Sequence, residues 1–372
     1  MFLALREMRH SKARYSLIMV IMLLVSFLVL FVTGLARGLS YANISALENM
    51  PADHFVIQSD ADHAFRRSQL TDNELAAARS VVGDQKAAAL GVQTSTITAD
   101  AADAKADITF FAVDMEGMLA PRIVQGNALA NETRGYAVVD SKLQESGIGI
   151  GSIIQDQASG LTLEVSGIVD DSSYSHTPVI YVNLLDWQDM KQNISHNSSD
   201  SKAIAFNVIA LDADSSQLSD IAARLDGAEV ITQKQAISSV PGYAAEQNSL
   251  MMMIVFLFVI AAFVLAVFFY VITIQKTSQF GILKAMGTTM SYLAWSVVGQ
   301  VMILAVSSLV VSLLLTFGMN MGLPDTMPFK LESSTILLTS VLFIGMSLLG
   351  SLISVAKVAK VDALEAIGRV GA

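Results

Sequence analysis

A chain of 372 residues that is 53% hydrophobic and only 15% charged, with a positive mean hydropathy, is too apolar for a soluble protein of its length and points to a membrane protein. Its net charge of −10 averages basic short segments with an acidic stretch over 38–248, and that acidic stretch argues against nucleic-acid binding, which needs a basic surface. The absence of cysteine excludes disulfides and thiolate chemistry.

The N-terminal segment, 1–14, carries Arg6, Arg9, Lys12 and Arg14. Residues 15–36 then contain no Asp, Glu, Lys or Arg. As a helix this run reaches about 33 Å, enough to cross a hydrocarbon core of roughly 30 Å, which predicts a first transmembrane helix over 15–37. A signal peptide would share the basic start and apolar run. This run exceeds the usual signal core and no convincing A-x-A site follows at once, so an uncleaved helix is expected.

Residues 38–248 change character and read as one α+β domain. Alternating β-branched and aromatic runs predict strands at 54–58, 108–114, 136–140, 161–170, 178–184 and 203–212. "TDNELAAARSVV" predicts a helix, with Thr71 and Glu74 as a capping box, and "SSQLSDIAARLDG" predicts another with a serine start and a glycine stop. The segment holds 12 Lys plus Arg against 28 Asp plus Glu. Linkers at 41–53 and 233–248 are the expected hinges to the membrane.

Three further uncharged stretches follow, at 247–275, 285–324 and 333–356. The second is long, but its strong breakers, in "GMNMGLPDTMP", lie at its end, so it predicts one span. The expected order is a helix over 249–275, a short segment over 276–290, a helix over 291–317, a loop over 318–332, a helix over 333–356 and a tail over 357–372. Short segments on one side collect Arg6, Arg9, Lys12, Arg14, Lys276, Lys284, Lys357, Lys360 and Arg369 against Glu7, Asp362 and Glu365. That side is expected to be cytoplasmic, with both termini inside and 38–248 outside.

The chain contains no G-x-x-x-x-G-K-[ST] phosphate loop. His10, His54, His63, His176 and His196 have no metal-site spacing and are expected to be solvated or structural. No Ser, His and Asp constellation stands out, so no active site is expected. The spans hold little that is polar beyond Ser, Thr and Gln300, which argues against an ion-coupled carrier.

Read as a helix, "SQFGILKAMGTTMSYLAW" sets Phe280, Leu283, Met286 and Met290 in an apolar stripe with Lys284 and Thr288 beside it. Such a stripe fits a membrane interface or a protein partner. "QKTSQFGILKAMGTT" resembles the short cytoplasmic coupling helix of the FtsX/MacB class of ABC-transporter permeases, with Gln279 where Glu is usual. "VVDSKLQESGIGIGSIIQ" and "LTLEVSGIVDD" resemble that class's extracellular core domain, and "KVAKVDALEAIGR" its closing segment, with Ala363 where Pro is usual.

The resemblance implies four transmembrane α-helices with a large α+β extracellular domain between helices 1 and 2. It implies a non-catalytic homodimer in the cell membrane, driven by two copies of a separate ATPase that alone binds ATP. The ATPase would dock on Phe280, Gly281, Leu283, Lys284, Met286 and Gly287. Gly34 and Ala36 would let first-span helices of two copies approach, or would be ordinary membrane-helix composition.

"REMRHSKARYSLIMVIMLL", "GLARGLSYANISALENMPADHFVI" and "DDSSYSHTPVIYVNLLDW" are similar to the haem-efflux members of that class in Gram-positive bacteria. This implies haem as transported ligand, with no permanently bound cofactor. Arg37 would meet a propionate. Tyr41, Glu48 and Met50 are the candidate iron ligands, with Tyr41, Ile44, Ser45 and Glu48 on one helical face. Met252 and Phe256 would line the wall. The other reading is a mechanotransmission or signalling permease of the same class, acting on peptides, lipoproteins or cell-wall enzymes without haem.

Overall fold

The computed structural model describes residues 12–99, 104–194, 205–323 and 327–359. The first eleven residues, the tail from 360 onward with the charges counted there, His196 and the first two residues of the last predicted strand lie outside these. The chain divides into two units, Met1–Leu39 with Asn248–Ala372, and Ser40–Gln247.

Helix α1 runs unbroken over Lys12–Glu48, well past the expected end of the first span at 37. No proline interrupts it. It stops only as Pro51 approaches, because a proline disfavours helical backbone at the residue before it. The first expected hinge is therefore largely helix. Its residues Tyr41, Ile44 and Leu47 are buried, and Ile44, Leu47 and Met50 belong to the core of the inserted unit.

That unit follows in chain order: β1 (His54–Gln58), α2 (Asp72–Val82), β2 (Ala87–Ala99), β3 (Ala104–Val113), β4 (Gln125–Gly126), β5 (Tyr136–Asp140), β6 (Ile153–Asp156), β7 (Thr162–Val169), β8 (Ser173–Tyr174), β9 (Thr177–Asn183), α3 (Leu184–Ile194), β10 (Val208–Leu211), α4 (Ser215–Arg224), β11 (Ala228–Thr232) and α5 (Gln233–Ser238). The strands form one sheet ordered β11-β1-β10-β2-β3-β9-β5-β7-β4, with β6 on β2 and β7, and β8 on β9. β3 pairs parallel with β9, placing Phe111 beside Tyr181, and β5 pairs parallel with β7. The other pairings are antiparallel.

Helices cover the sheet in patches. α2 and α4 bury Leu75, Ala78 and Ile221 against Val56, Ala89 and Ile209. α3 buries Trp187 and Met190 against Phe110 and Ile180. Gly91 makes room for Trp187, since a β-carbon there would lie 2.6 Å from the indole Cε2. The α2 capping box forms as the sequence predicts, with Thr71 N–H donating to Glu74 Oε2 at 2.9 Å. α4 is capped by Asp214 rather than by the predicted serine.

The remaining helices are α6 (Tyr243–Gln275), α7 (Thr277–Ala285), α8 (Met290–Asn320) and α9 (Ser333–Ala359). The second expected hinge is thus occupied by α5 and the first turn of α6. Among the described residues, α1, α6, α8 and α9 are long and apolar enough to cross a membrane. Their common core holds Ile18, Met22, Leu265, Phe269, Leu304 and Phe343. Hydroxyls stitch the helices where apolar contact alone gives little specificity in lipid: Ser312 Oγ donates to Leu23 O at 2.9 Å, and Ser354 Oγ to Phe269 O at 2.9 Å.

Candidate functional site

The break between α6 and α7 falls at Lys276, whose carbonyl accepts from Phe280 N–H at 2.9 Å and so opens α7. Its side chain turns inward and is only 1% exposed. An ammonium removed from water is costly unless its protons are satisfied. Here Nζ donates to Gln300 Oε1 at 2.6 Å and to Tyr15 Oη at 2.8 Å, and the Tyr15 hydroxyl donates to the same Gln300 oxygen at 2.8 Å. One polar knot therefore joins α1, α6 and α8 directly beside α7. Sequence reasoning treated Lys276 as a flanking charge and Gln300 as a stray polar residue. The available signal was a glutamine inside an otherwise apolar span.

α7 is shorter than the predicted helix. Gly287 adopts a φ of 94°, its N–H donates to Lys284 O at 3.0 Å, and Thr288 N–H reaches back to Leu283 O at 3.0 Å. That left-handed glycine ends the helix, and α8 restarts at Met290, so the expected stripe does not continue on one rod. Of the predicted docking residues, Lys284, Met286 and Gly287 are exposed, Phe280 and Leu283 are half-buried, and Gly281 is buried.

At the far end of this unit, Arg37 is engaged by Glu332, with Nε and one terminal nitrogen 2.8 and 2.6 Å from Oε1. That hydrogen bond holds the Glu332 carboxyl below its ordinary range. The loop before α9 lies on α1. Lys330 N–H donates to Gly34 O at 3.1 Å, and Phe329 stacks on Phe31 with centroids 5.4 Å apart. A β-carbon on Gly34 would come within 2.7 Å of the Phe329 ring, and one on Gly38 within 2.1 Å of Pro328 O. Gly34, expected to face a second copy or nothing in particular, thus accommodates the chain's own loop. Met252 and Phe256 lie on α6 with about three-fifths of their surface exposed.

The other candidate ligands sit within the inserted unit. The Tyr41 hydroxyl, buried, accepts from Asn49 Nδ2 at 2.7 Å. Met50 packs into the core, and Glu48 is half-buried. The face of Tyr41, Ile44, Ser45 and Glu48 turns into the domain, where Ser45 Oγ accepts from Ser173 N–H at 2.8 Å.

A second polar cluster ties the start of α6 to Asn43, on the other side of α1, and to the β8–β9 turn. Glu246 Oε2 lies 2.8 Å from both His176 Nε2 and Asn43 Nδ2. His176 and Ser175 are the two residues of the β8–β9 turn, with φ of 63° and 52°, as a tight right-twisted hairpin requires. Sequence reasoning left His176 as solvated or structural and did not single out Asn43 or Glu246.

Comparison with known proteins connects this architecture to a family. The model for a MacB-like periplasmic core domain matches residues 16–230, and that for an FtsX-like permease C-terminal region matches residues 251–363. The chain belongs to the FtsX/MacB class of ABC-transporter permeases. The permease is 31% identical over 368 residues to HrtB of Staphylococcus haemolyticus, a protein named for hemin transport, with 99% of each chain covered. It is 28% identical to HrtB of Staphylococcus epidermidis over the same share. Uncharacterized ABC transporter permeases of Mycobacterium tuberculosis are 25% identical across 99% of both chains. Among solved structures, the extracellular domain of YknZ from Gram-positive bacteria overlays 48% of this chain and 98% of its own with a TM-score of 0.34 at 16% identity. The periplasmic region of MacB from Actinobacillus actinomycetemcomitans overlays 53% and 99% with a TM-score of 0.36 at 12% identity.

Proposed function

We propose that this permease exports haem from the membrane, relieving haem toxicity, with the work done by a separate cytoplasmic ATPase. The observation that carries this reading is end-to-end similarity to HrtB at 31% identity. Two copies of the permease pair with two copies of the ATPase, which docks on α7 and the Gly287 turn. Both termini lie in the cytoplasm and the inserted domain lies outside, in keeping with basic short segments on one side and an acidic domain on the other. The permease itself carries out no chemistry and holds no permanent cofactor.

Haem is flat, apolar and doubly carboxylated, so it needs an apolar wall, a cation and an iron ligand. Met252 and Phe256 offer exposed apolar surface, and Glu48, half-buried with its Oε2 enclosed, would serve as an iron ligand. Arg37 becomes available to a propionate once its pair with Glu332 opens. Tyr41 and Met50 reach iron only after the end of α1 loosens from the domain core.

An absorbance titration of the purified permease with haem, with and without its ATPase, tests the reading. The expected result is a saturable Soret shift that disappears when Tyr41, Glu48 and Met50 are replaced together. No shift in lipid discs would overturn it and would favour a permease that moves an outer partner.

A further inference from the structure

The inserted domain holds more than twice as many acids as bases, yet among the described residues one of its grooves is lined by Arg66, Arg67 and Lys191 with Asp62 as the only acid. A quarter of the domain's 12 bases thus share one concavity. The groove has a volume of about 740 Å³, within the range of small-molecule sites. Phe65, Val92 and Tyr174 also line it, almost wholly buried, so that only their edges face the groove.

Its cations are not all committed to carboxylates. Lys191 Nζ donates to neutral Gln93 Oε1 at 2.9 Å and lies 4.3 Å from the Trp187 ring centroid. Burial pushes its ammonium below the ordinary lysine range, so a charge is held there at a cost. Arg66 is exposed, and among the described residues it has no carboxylate partner. It lies close enough to Tyr174 for its charge to act on the phenol. Burial raises that phenol to about 12, leaving it protonated at neutral pH. Among the described residues Arg67 pairs with Asp62 alone, at 3.5 Å, with both side chains mostly exposed. The wall is rigid: Asn207 Oδ1 accepts from Val92 N–H at 2.7 Å while its Nδ2 donates to Ser68 O at 3.0 Å.

We infer that this groove is a binding site for an amphipathic organic carboxylate, whose apolar ring body rests on Phe65, Val92 and Tyr174 while Arg66 and Lys191 take the carboxylate. Cations that share a groove with apolar edges favour that combination, because each cation pairs with an anionic oxygen while the body leaves water. The site is separate from the residues proposed to hold iron, and it requires none.

Trp187 supplies the readout. The chain has two tryptophans, so full-length protein carrying Trp295→Phe reports from Trp187 alone. Metal-free protoporphyrin IX, a ring dicarboxylate, is titrated in lipid discs beside its dimethyl ester, which keeps the ring and loses both charges. Saturable quenching by the diacid is expected, with affinity falling roughly tenfold in Arg66→Gln plus Lys191→Gln and a similar deficit for the ester. Arg66→Gln alone, at an exposed side chain, is expected to show part of the loss with the fold intact. The inference is overturned if the diacid fails to quench, if the ester binds equally well, or if both variants bind like the parent. The haem Soret shift, read on the same variants, should be unchanged. Its persistence with no groove binding would remove this site alone, whereas its absence would remove the haem reading.

Discussion

Replacing Gln300 with Leu should damage the permease more than replacing Lys276 with Met, although the lysine bears the charge. What matters is which group is stranded. Gln300 Oε1 accepts from Lys276 Nζ at 2.6 Å and from Tyr15 Oη at 2.8 Å, and both donors are at most 5% exposed. Q300L removes that acceptor and leaves the buried ammonium one charge-assisted bond short, with Tyr15 Oη still 2.8 Å away, a loss of about 2–4 kcal/mol. K276M also deletes two charge-assisted hydrogen bonds. It removes the desolvated charge with them, however, and spares the Tyr15–Gln300 bond. The opposing contributions nearly cancel, leaving a net change within about 2 kcal/mol. The double variant should therefore resemble K276M rather than the sum of the two single changes. Unfolding midpoints of parent, both single variants and the double variant in lipid discs close the cycle. Additive effects, or a Q300L no weaker than K276M, would refute the account of the knot.

Gly38→Ala should lower stability by about 2 kcal/mol or more, because its β-carbon meets the Pro328 carbonyl at 2.1 Å; an unchanged midpoint would count against the packing of the loop on α1. Acid should weaken the Arg37–Glu332 tie. The Glu332 carboxyl is held below 4.5 by its hydrogen bond to Arg37, so its stabilisation is complete above that value and is lost as pH falls through the lowered one. Both side chains are partly exposed, so the contribution is at most about 1 kcal/mol. Glu332→Gln should flatten this part of the acid limb, and a midpoint profile identical to the parent's would contradict it. Lys284→Glu, on an exposed position of α7, should lower substrate-stimulated ATP hydrolysis severalfold with membrane insertion intact, measured in the assembled complex.

Much of the fold was legible from local pattern. β1 and β5 occupy the predicted residues, and the Thr71–Glu74 capping box marks the start of α2, because alternation and capping are local chemistry. β2 was not legible. Its "AAALGVQ" start resembles a helix former, and its burial is imposed by distant partners in β3 and β10. The polar knot was hidden for the same reason, since Lys276 meets Tyr15 across 261 residues. A lysine beside an apolar run looks solvated until its partners are known. The end of α1 was legible as a helical face but not as part of the domain, and its polar residues Asn43 and Ser45 are the ones that hold the domain.

α6 turns a single narrow edge toward its own chain. Its buried residues, Ala261, Leu265, Phe269 and Thr273, recur every fourth position, while Met251, Phe256, Ile260, Phe263 and Val267 look outward. Between its polar ties at Glu246 and at Lys276 just past its end, the rod is gripped along one line, and most of its apolar surface is left for its surroundings to cover. Solvents that pack around it loosely, such as short-chain detergent, should therefore disturb that uncovered face before they break the polar ties at its two ends.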